Sequence, residues 1–340
     1  MRYIVIIIIV FATLLAFAYY LLADKIAFYA LRSAPENGVL EEHSLAVDGK
    51  DRAYHVFKPD SLKGNAPVVI YFHGSMGSGK NMRDLSGYDF DYLAVAHGFL
   101  VVYPDGYENH WNDCRGSASY AANVENIDDV SFVKTMIERL QTDYGIDTSR
   151  VIVTGFSNGG HMVYRMAMEA PESIFIAVPI AANMPVDANL DCTKSGKPVH
   201  MSIFNGTKDP INPYLGGLVE VLGNASRGEV LSSDETLNYW AGLAEASQEE
   251  QITTHFAELD GNPDTKVTRF LRAGQKHIAL YQLEGSGHVV PSPFMYFGEI
   301  LGQGAQDINA AEEIYRFYGM LENNYARFRI TLPRVFPVLT

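Results

Sequence analysis

Ser157 lies in Gly155-Phe156-Ser157-Asn158-Gly159-Gly160, after the β-branched run Arg150-Val151-Ile152-Val153-Thr154 and before the helix-forming stretch His161 to Glu169, which stops short of Pro171. A G-x-S-x-G pentapeptide between a strand and a helix predicts a nucleophile elbow, a turn too tight for Cβ atoms on the residues flanking the serine. The chemistry it predicts is acyl transfer through a covalent serine intermediate. The bland alternative is an ordinary strand-to-helix turn, and the flanking pattern argues against it.

A serine alcohol is a poor nucleophile at neutral pH, so it needs a histidine base and a carboxylate to orient that base, in the chain order Ser, Asp, His. Val199 to Phe204 reads as a strand running into Asn205-Gly206-Thr207-Lys208-Asp209-Pro210, which places Asp209 on the loop after a strand. An Asx-turn residue before a proline is the competing role for Asp209. Asp187 and Asp191 are rivals that follow no strand directly. Of the ten histidines, His288 follows the apolar strand Ile278 to Leu283 through Glu284-Gly285-Ser286-Gly287 and lies beyond Asp209, whereas His255 and His277 sit beside connecting segments. His288 is therefore the expected base.

The tetrahedral intermediate needs backbone N–H donors aimed at its oxyanion. The strand Val68 to Phe72 enters the glycine-rich loop His73-Gly74-Ser75-Met76-Gly77-Ser78-Gly79, so the N–H groups of Ser75 and Asn158 are the expected oxyanion hole. A phosphate-binding loop is excluded because Lys80-Asn81 does not supply G-K-[ST]. His73 reads as a brace for the loop and not as the base, because a triad histidine in this topology comes last in the chain.

These residues require an α/β fold with a doubly wound, mostly parallel sheet and helices on both faces, because such sheets bind ligands at the carboxyl ends of their strands. Arg52 to Phe57 reads as an edge strand, and Val68 to Phe72 and Phe99 to Tyr103 as inner strands. Asp128 to Tyr144 reads as a helix, Val151 to Thr154, Ile174 to Ala181 and Val199 to Phe204 as further parallel strands, and Asp307 to Met320 as a closing helix. Val267 to Arg272 and Ile278 to Leu283 are expected to form a hairpin across Ala273-Gly274-Gln275. The Gly- and Leu-rich segment Asn212 to Ser233 reads as loop, with a pocket-covering lid as the alternative.

With 340 residues, 47% of them apolar and no low-complexity tract, the chain suffices for one large core. A formal charge of −14 disfavours nucleic acid and anionic membrane surfaces as partners and suits neutral esters. After Met1-Arg2, the apolar run Tyr3 to Ala23, about 21 residues, is long enough to span a bilayer. It contains Ala16-Phe17-Ala18, a site for signal peptidase, but continues past it, which favours an uncleaved anchor; either fate implies export. The expected organisation is a signal peptide or anchor over 1–23, a tether over 24–44, a catalytic domain over 45–320 and a C-terminal extension over 321–340. Two cysteines, Cys114 and Cys192, in an exported chain are expected to pair. No H-E-x-x-H or paired C-x-x-C is present, and no metal or cofactor is required.

Several separate segments then resemble one family, the polyhydroxybutyrate depolymerase and feruloyl esterase group within family 1 carbohydrate esterases. They are His73-Gly74, Tyr103-Pro104-Asp105-Gly106, Trp111 with Cys114, Asp128-Asp129-Val130, the elbow, Asn205 to Tyr214, Glu235-Thr236 with Trp240-Ala241, and His288, spread over roughly residues 45 to 320. The resemblance implies an α/β-hydrolase in which Ser157, Asp209 and His288 form the triad, with Trp111, His73 and Tyr214 beside the substrate. His288-Val289-Val290-Pro291 departs from the family's His-Thr-Trp-Pro, exchanging an aromatic wall for an aliphatic one. The implied activity is an exported serine carboxylesterase acting on hydroxyalkanoate oligomers or similar short esters; the alternative is feruloyl or acetyl xylan esterase action on plant cell walls. A peptidase with the same triad and an inactive binding protein are the other classes, and the intact triad argues against the second.

Overall fold

The structure is a computed structural model describing residues 28–322. The apolar run 3–23 and the segment from residue 323 onward lie outside the described residues, within which no helix is long and apolar enough to cross a membrane. In chain order the described residues form β1 (Phe28–Ala30), β2 (Gly38–Val47), β3 (Lys50–Pro59), β4 (Val68–Phe72), α1 (Gly79–Leu85), α2 (Asp89–His97), β5 (Leu100–Pro104), α3 (Ala121–Val124), α4 (Asp129–Tyr144), β6 (Val151–Phe156), α5 (Asn158–Glu169), β7 (Ile176–Ile180), β8 (His200–Gly206), β9 (Gly217–Leu218), β10 (Glu229–Val230), α6 (Ser233–Leu243), β11 (Ile252–His255), β12 (Lys266–Ala273), β13 (His277–Glu284), β14 (Met295–Phe297) and α7 (Ala310–Glu322).

A ten-stranded sheet in the order β11-β12-β13-β8-β7-β6-β4-β5-β3-β2 organises the molecule. From β13 to β5 neighbouring strands run parallel, and antiparallel pairs close each edge. The inner strands are near-continuous apolar runs because both faces are covered. Along β4, Val68, Ile70 and Phe72 enter one core with Phe132 of α4 and Met162 of α5, while Val69 and Tyr71 enter the other with Phe90 of α2 and Ile314 of α7. The period of two thus feeds two separate cores.

Local chemistry accounts for the helix ends. Asp128 accepts the Ser131 N–H at 2.8 Å to start α4, and Gly145, with φ at 64°, ends it. Ser232 and Glu235 form a reciprocal capping box on α6. The hairpin expected across residues 273–275 is present as β12 and β13.

Two expectations require correction. Residues 38–44, expected as the end of a tether over 24–44, form strand β2 together with residues 45–47, paired residue for residue with β3 from Gly38 and Pro59 to Val47 and Lys50. The segment from Arg52 is therefore the second strand and not the edge. The consecutive charges of half-buried Glu41 and exposed Glu42 mask the pattern of β2, and charge on an edge strand protects it from pairing with other chains. The closing helix starts at Ala310 and not at Asp307. Asn309 accepts the Glu312 N–H at 3.1 Å, while the Asp307 carboxylate takes the Leu259 N–H at 2.6 Å.

Candidate active site

The turn between β6 and α5 places Ser157 at φ 56° and ψ −117°, a strained conformation for a residue with a side chain. Backbone crowding holds it there. A Cβ on Gly155 would lie 2.2 Å from the Gly159 carbonyl oxygen, and one on Gly159 would lie 2.4 Å from that of Phe72. The Ser157 N–H donates to Ile180 at 2.9 Å, fixing the turn to β7.

Asp209 and His288 arrive from the loops after β8 and β13, adjacent parallel strands of the sheet. His288 Nδ1 lies 2.7 Å from Asp209 Oδ2, both side chains being buried. Asp209 Oδ1 accepts the N–H groups of Ile211 and Asn212, each at 2.8 Å. The turn-forming role and the histidine-orienting role of Asp209 thus coexist, one on each oxygen. The His288 N–H donates to Leu301 at 2.6 Å, and its ring packs on Phe156 with centroids 4.9 Å apart, beside the serine. His288 Nε2 has no hydrogen-bond partner among the described residues, which leaves it open toward a substrate or the serine.

The two expected oxyanion donors lie on segments that pack against each other. A Cβ on Gly74 would come within 3.4 Å of the Ser157 Cβ, so the loop carrying Ser75 runs against the elbow. The Ser75 N–H has no acceptor among the described residues, and Asn158 opens α5, where an N–H has no intrahelical partner. The Asn158 side chain is an anchor: Oδ1 accepts the Trp111 N–H at 2.8 Å, and Nδ2 donates to Asp113 at 2.6 Å. Asp113 is fully buried against Arg115; burial pushes its carboxyl up, but the guanidinium prevails and holds it below the ordinary aspartate value. Sequence reasoning missed Asp113 and Arg115. Their one local signal was two opposite charges spaced two apart after Trp111.

Trp111, His73 and Tyr214, expected beside the substrate, are all buried. Trp111 is 0% exposed, donates from Nε1 to the His73 carbonyl at 3.0 Å and packs edge-on against Phe72. It supports the loop that carries Ser75. Both nitrogens of His73 are spent, Nδ1 on the Gly74 carbonyl at 2.7 Å and Nε2 on the Gly106 N–H at 2.8 Å, and burial lowers its pKa to about 4. It stays neutral as a brace. The Tyr214 hydroxyl accepts from Gln282 at 3.1 Å. The resemblance placed these three beside the substrate; in this structure their side chains are buried and hydrogen-bonded to neighbouring segments.

Cys114 and Cys192 form a disulfide across 78 residues, as expected. It joins the loop of Trp111 and Asp113 to the segment around Asn189, whose side chain holds the carbonyls of Arg227 and Glu229, each at 3.0 Å. Of the segment 212–233, β9 and β10 form a short ribbon fastened at that point.

Residues 54–192 match the BD-FAE family. The chain is 29% identical over 166 residues to a bifunctional acetylxylan esterase/xylanase of Neocallimastix patriciarum, covering 49% of this chain and 22% of that protein. It is 25% identical over 287 residues to poly(3-hydroxyalkanoate) depolymerase C of Paucimonas lemoignei, covering 77% of this chain and 66% of that protein. The chain thus spans less than two thirds of either relative's length. Feruloyl esterases also occur among the relatives. An acetyl xylan esterase from Aspergillus awamori superposes with a TM-score of 0.52 at 17% identity, over 82% of this chain and 99% of that one, which shows a shared fold. With the elbow at the end of β6 and the sheet order around it, the chain has an α/β-hydrolase-like fold, and its residues 54–192 are similar to the BD-FAE family, as the chain is to feruloyl esterases, acetylxylan esterases and a poly(3-hydroxyalkanoate) depolymerase.

Proposed function

We propose that the protein is an exported serine carboxylesterase in which Ser157, His288 and Asp209 act as a triad. The observation that carries this is the 2.7 Å contact between His288 Nδ1 and Asp209 Oδ2, at the edge of the sheet where the strained turn presents Ser157. Asp209 holds the imidazole with its proton on Nδ1, leaving Nε2 as the base. His288 Nε2 takes the Ser157 proton as Oγ attacks the ester carbonyl, and the Ser75 and Asn158 N–H groups receive the oxyanion. The intermediate collapses as His288 returns the proton to the departing alcohol. Water, deprotonated by the same histidine, then releases the acid from the acyl-enzyme. The disulfide and the acidic surface suit a protein working outside the cytoplasm, and the run 3–23 would hold it to a membrane if uncleaved.

Two substrate classes are proposed. Hydroxyalkanoate oligomers and short esters accord with the depolymerase relative, and feruloyl or acetyl esters of plant-wall polysaccharide accord with the esterase relatives. The deciding experiment is hydrolysis of p-nitrophenyl esters, hydroxybutyrate oligomers, methyl ferulate, acetylated xylan and a chromogenic peptide by the full chain and by Ser157→Ala. Serine-dependent ester turnover is expected, its strongest substrate naming the class. Turnover of the peptide alone, or ester turnover that survives Ser157→Ala, would defeat the proposal.

A further inference from the structure

The oxyanion loop is tied sideways to an arginine that a catalytic triad does not need. The Ser75 hydroxyl lies 3.1 Å from the Tyr120 hydroxyl, and Arg227 Nε donates to that same phenol oxygen at 2.8 Å. His110 stacks on the Tyr120 ring with centroids 4.2 Å apart and an interplanar angle of 20°. The guanidinium carbon of Arg115 stands 5.8 Å from the ring centroid and that of Arg227 5.6 Å. Two cations and a histidine therefore surround one phenol, one side chain away from the point where the oxyanion is expected.

The two arginines differ in how their charge is met. Arg115 is buried on Asp113, with Nη2 2.5 Å from the carboxylate. Arg227 has no carboxylate at ion-pair distance among the described residues; Nη1 donates to the Asn224 carbonyl at 3.1 Å, and Nη2 has no partner there. In a chain of formal charge −14, where most arginines of the described residues sit against carboxylates, this cation is set apart at the site's edge. Its field also reaches His110, whose pKa is lowered chiefly by burial and further by Arg227 and Arg115, against the Glu108 carbonyl, which raises it.

The backbone under Arg227 is held in place. Asn189 Nδ2 donates to the carbonyls of Arg227 and Glu229, each at 3.0 Å, and Asn189 Oδ1 accepts the Ser117 N–H at 3.0 Å. A Cβ on Gly228, at φ +72°, would lie 2.4 Å from the Asn189 amide. Asn189 is itself three residues from the Cys192 end of the disulfide. A preorganised cation with a free N–H edge costs little to order when an anion binds.

We propose that Arg227, with Tyr120, forms a carboxylate-binding subsite, and that the preferred ester carries a free carboxylate a few bonds from the scissile carbonyl, as the terminal unit of a hydroxyacid oligomer does. Guanidinium and carboxylate meet through parallel charge-assisted hydrogen bonds, which a neutral amide or methyl group cannot reproduce. The proposal rests on the esterase reading and refines it, because acetyl and feruloyl groups on neutral sugar carry no such anion.

The test is a matched pair of substrates, the linear dimer of 3-hydroxybutyrate as free acid and as its terminal carboxamide, with p-nitrophenyl acetate as control. Wild type is expected to favour the acid by about tenfold or more in kcat/KM, mainly through KM, with the preference shrinking as salt is raised. In Arg227→Gln the acid-to-amide ratio should fall about tenfold, and Arg227→Lys should restore part of it. A wild-type ratio near one, or a ratio unchanged in Arg227→Gln and insensitive to salt, overturns the subsite while leaving the esterase standing. Hydrolysis of p-nitrophenyl acetate that persists in Ser157→Ala overturns the esterase reading and the subsite with it.

Discussion

Asp209 shows how one residue serves structure and chemistry through different atoms. Oδ1 closes its own loop on two N–H groups while Oδ2 meets His288. Asp209→Asn keeps most of the turn but offers Nδ2 or a neutral oxygen to the imidazole, which then favours the wrong tautomer. Its kcat should fall by about 10⁴-fold with little change in melting temperature. Steady-state kinetics beside a thermal melt checks this, and activity within tenfold of wild type would remove Asp209 from the proposed triad. At this scale the candidate triad was legible, because proposed nucleophile, acid and base are marked by type, order and the strand each follows, and the structure brings His288 and Asp209 within 2.7 Å. The roles of Trp111 and Asp113 were not, since an indole beside a site and an indole beneath it have the same letter, and only burial separates them.

The disulfide is the element with the widest reach around the candidate site. Closing a loop of 78 residues restricts the unfolded chain, worth roughly 4 kcal/mol in the chain-entropy model. Cys114→Ala with Cys192→Ala should therefore lose on the order of 2–5 kcal/mol of unfolding free energy. Activity should fall further than stability alone explains, because the bond carries the loop of Trp111 and Asp113, which fixes Asn158. Denaturant unfolding and kcat on the reduced and doubly substituted proteins would show it; an unaltered midpoint and kcat would refute it. The pairing was legible from two cysteines in a chain whose sequence predicts export. Strand β2 was not, because none of its residues is fully buried and its charges read as linker until β3 is seen beside it.

Over the whole molecule, the neutral buried histidines set how acid is tolerated. The pKa of His73 is lowered to about 4, mainly by burial, and that of His200 to about 3, again mainly by burial. Both folded values lie below the unfolded value near 6.5, so between these limits the unfolded chain binds more protons and stability falls as pH falls. Each contributes up to about 1.4 kcal/mol per pH unit, or about 3 kcal/mol for His73 in full. Protonating His73 would also cost the Gly106 N–H its acceptor and loosen the oxyanion loop. Urea unfolding of wild type and His73→Gln from pH 7 to pH 4 should give curves that converge toward acid. Parallel curves would mean that His73 is not held neutral.

What the sequence determined by itself was the layered plan and a candidate reaction centre. A strand, a glycine-flanked serine and a helix form a local pattern, and apolar runs of strand length separated by helical periods leave few alternatives to a covered parallel sheet. What only the tertiary structure decided was which side chains around the candidate site are buried as braces and which keep an unpartnered polar edge. The free edge of Arg227, the spent nitrogens of His73 and the hidden ring of Trp111 each depend on partners dozens of residues away in the chain, beyond the reach of any local pattern. Hydrogen bonding and burial are properties of the assembled chain, so the same residue types become ligand, brace or core according to what the fold places against them.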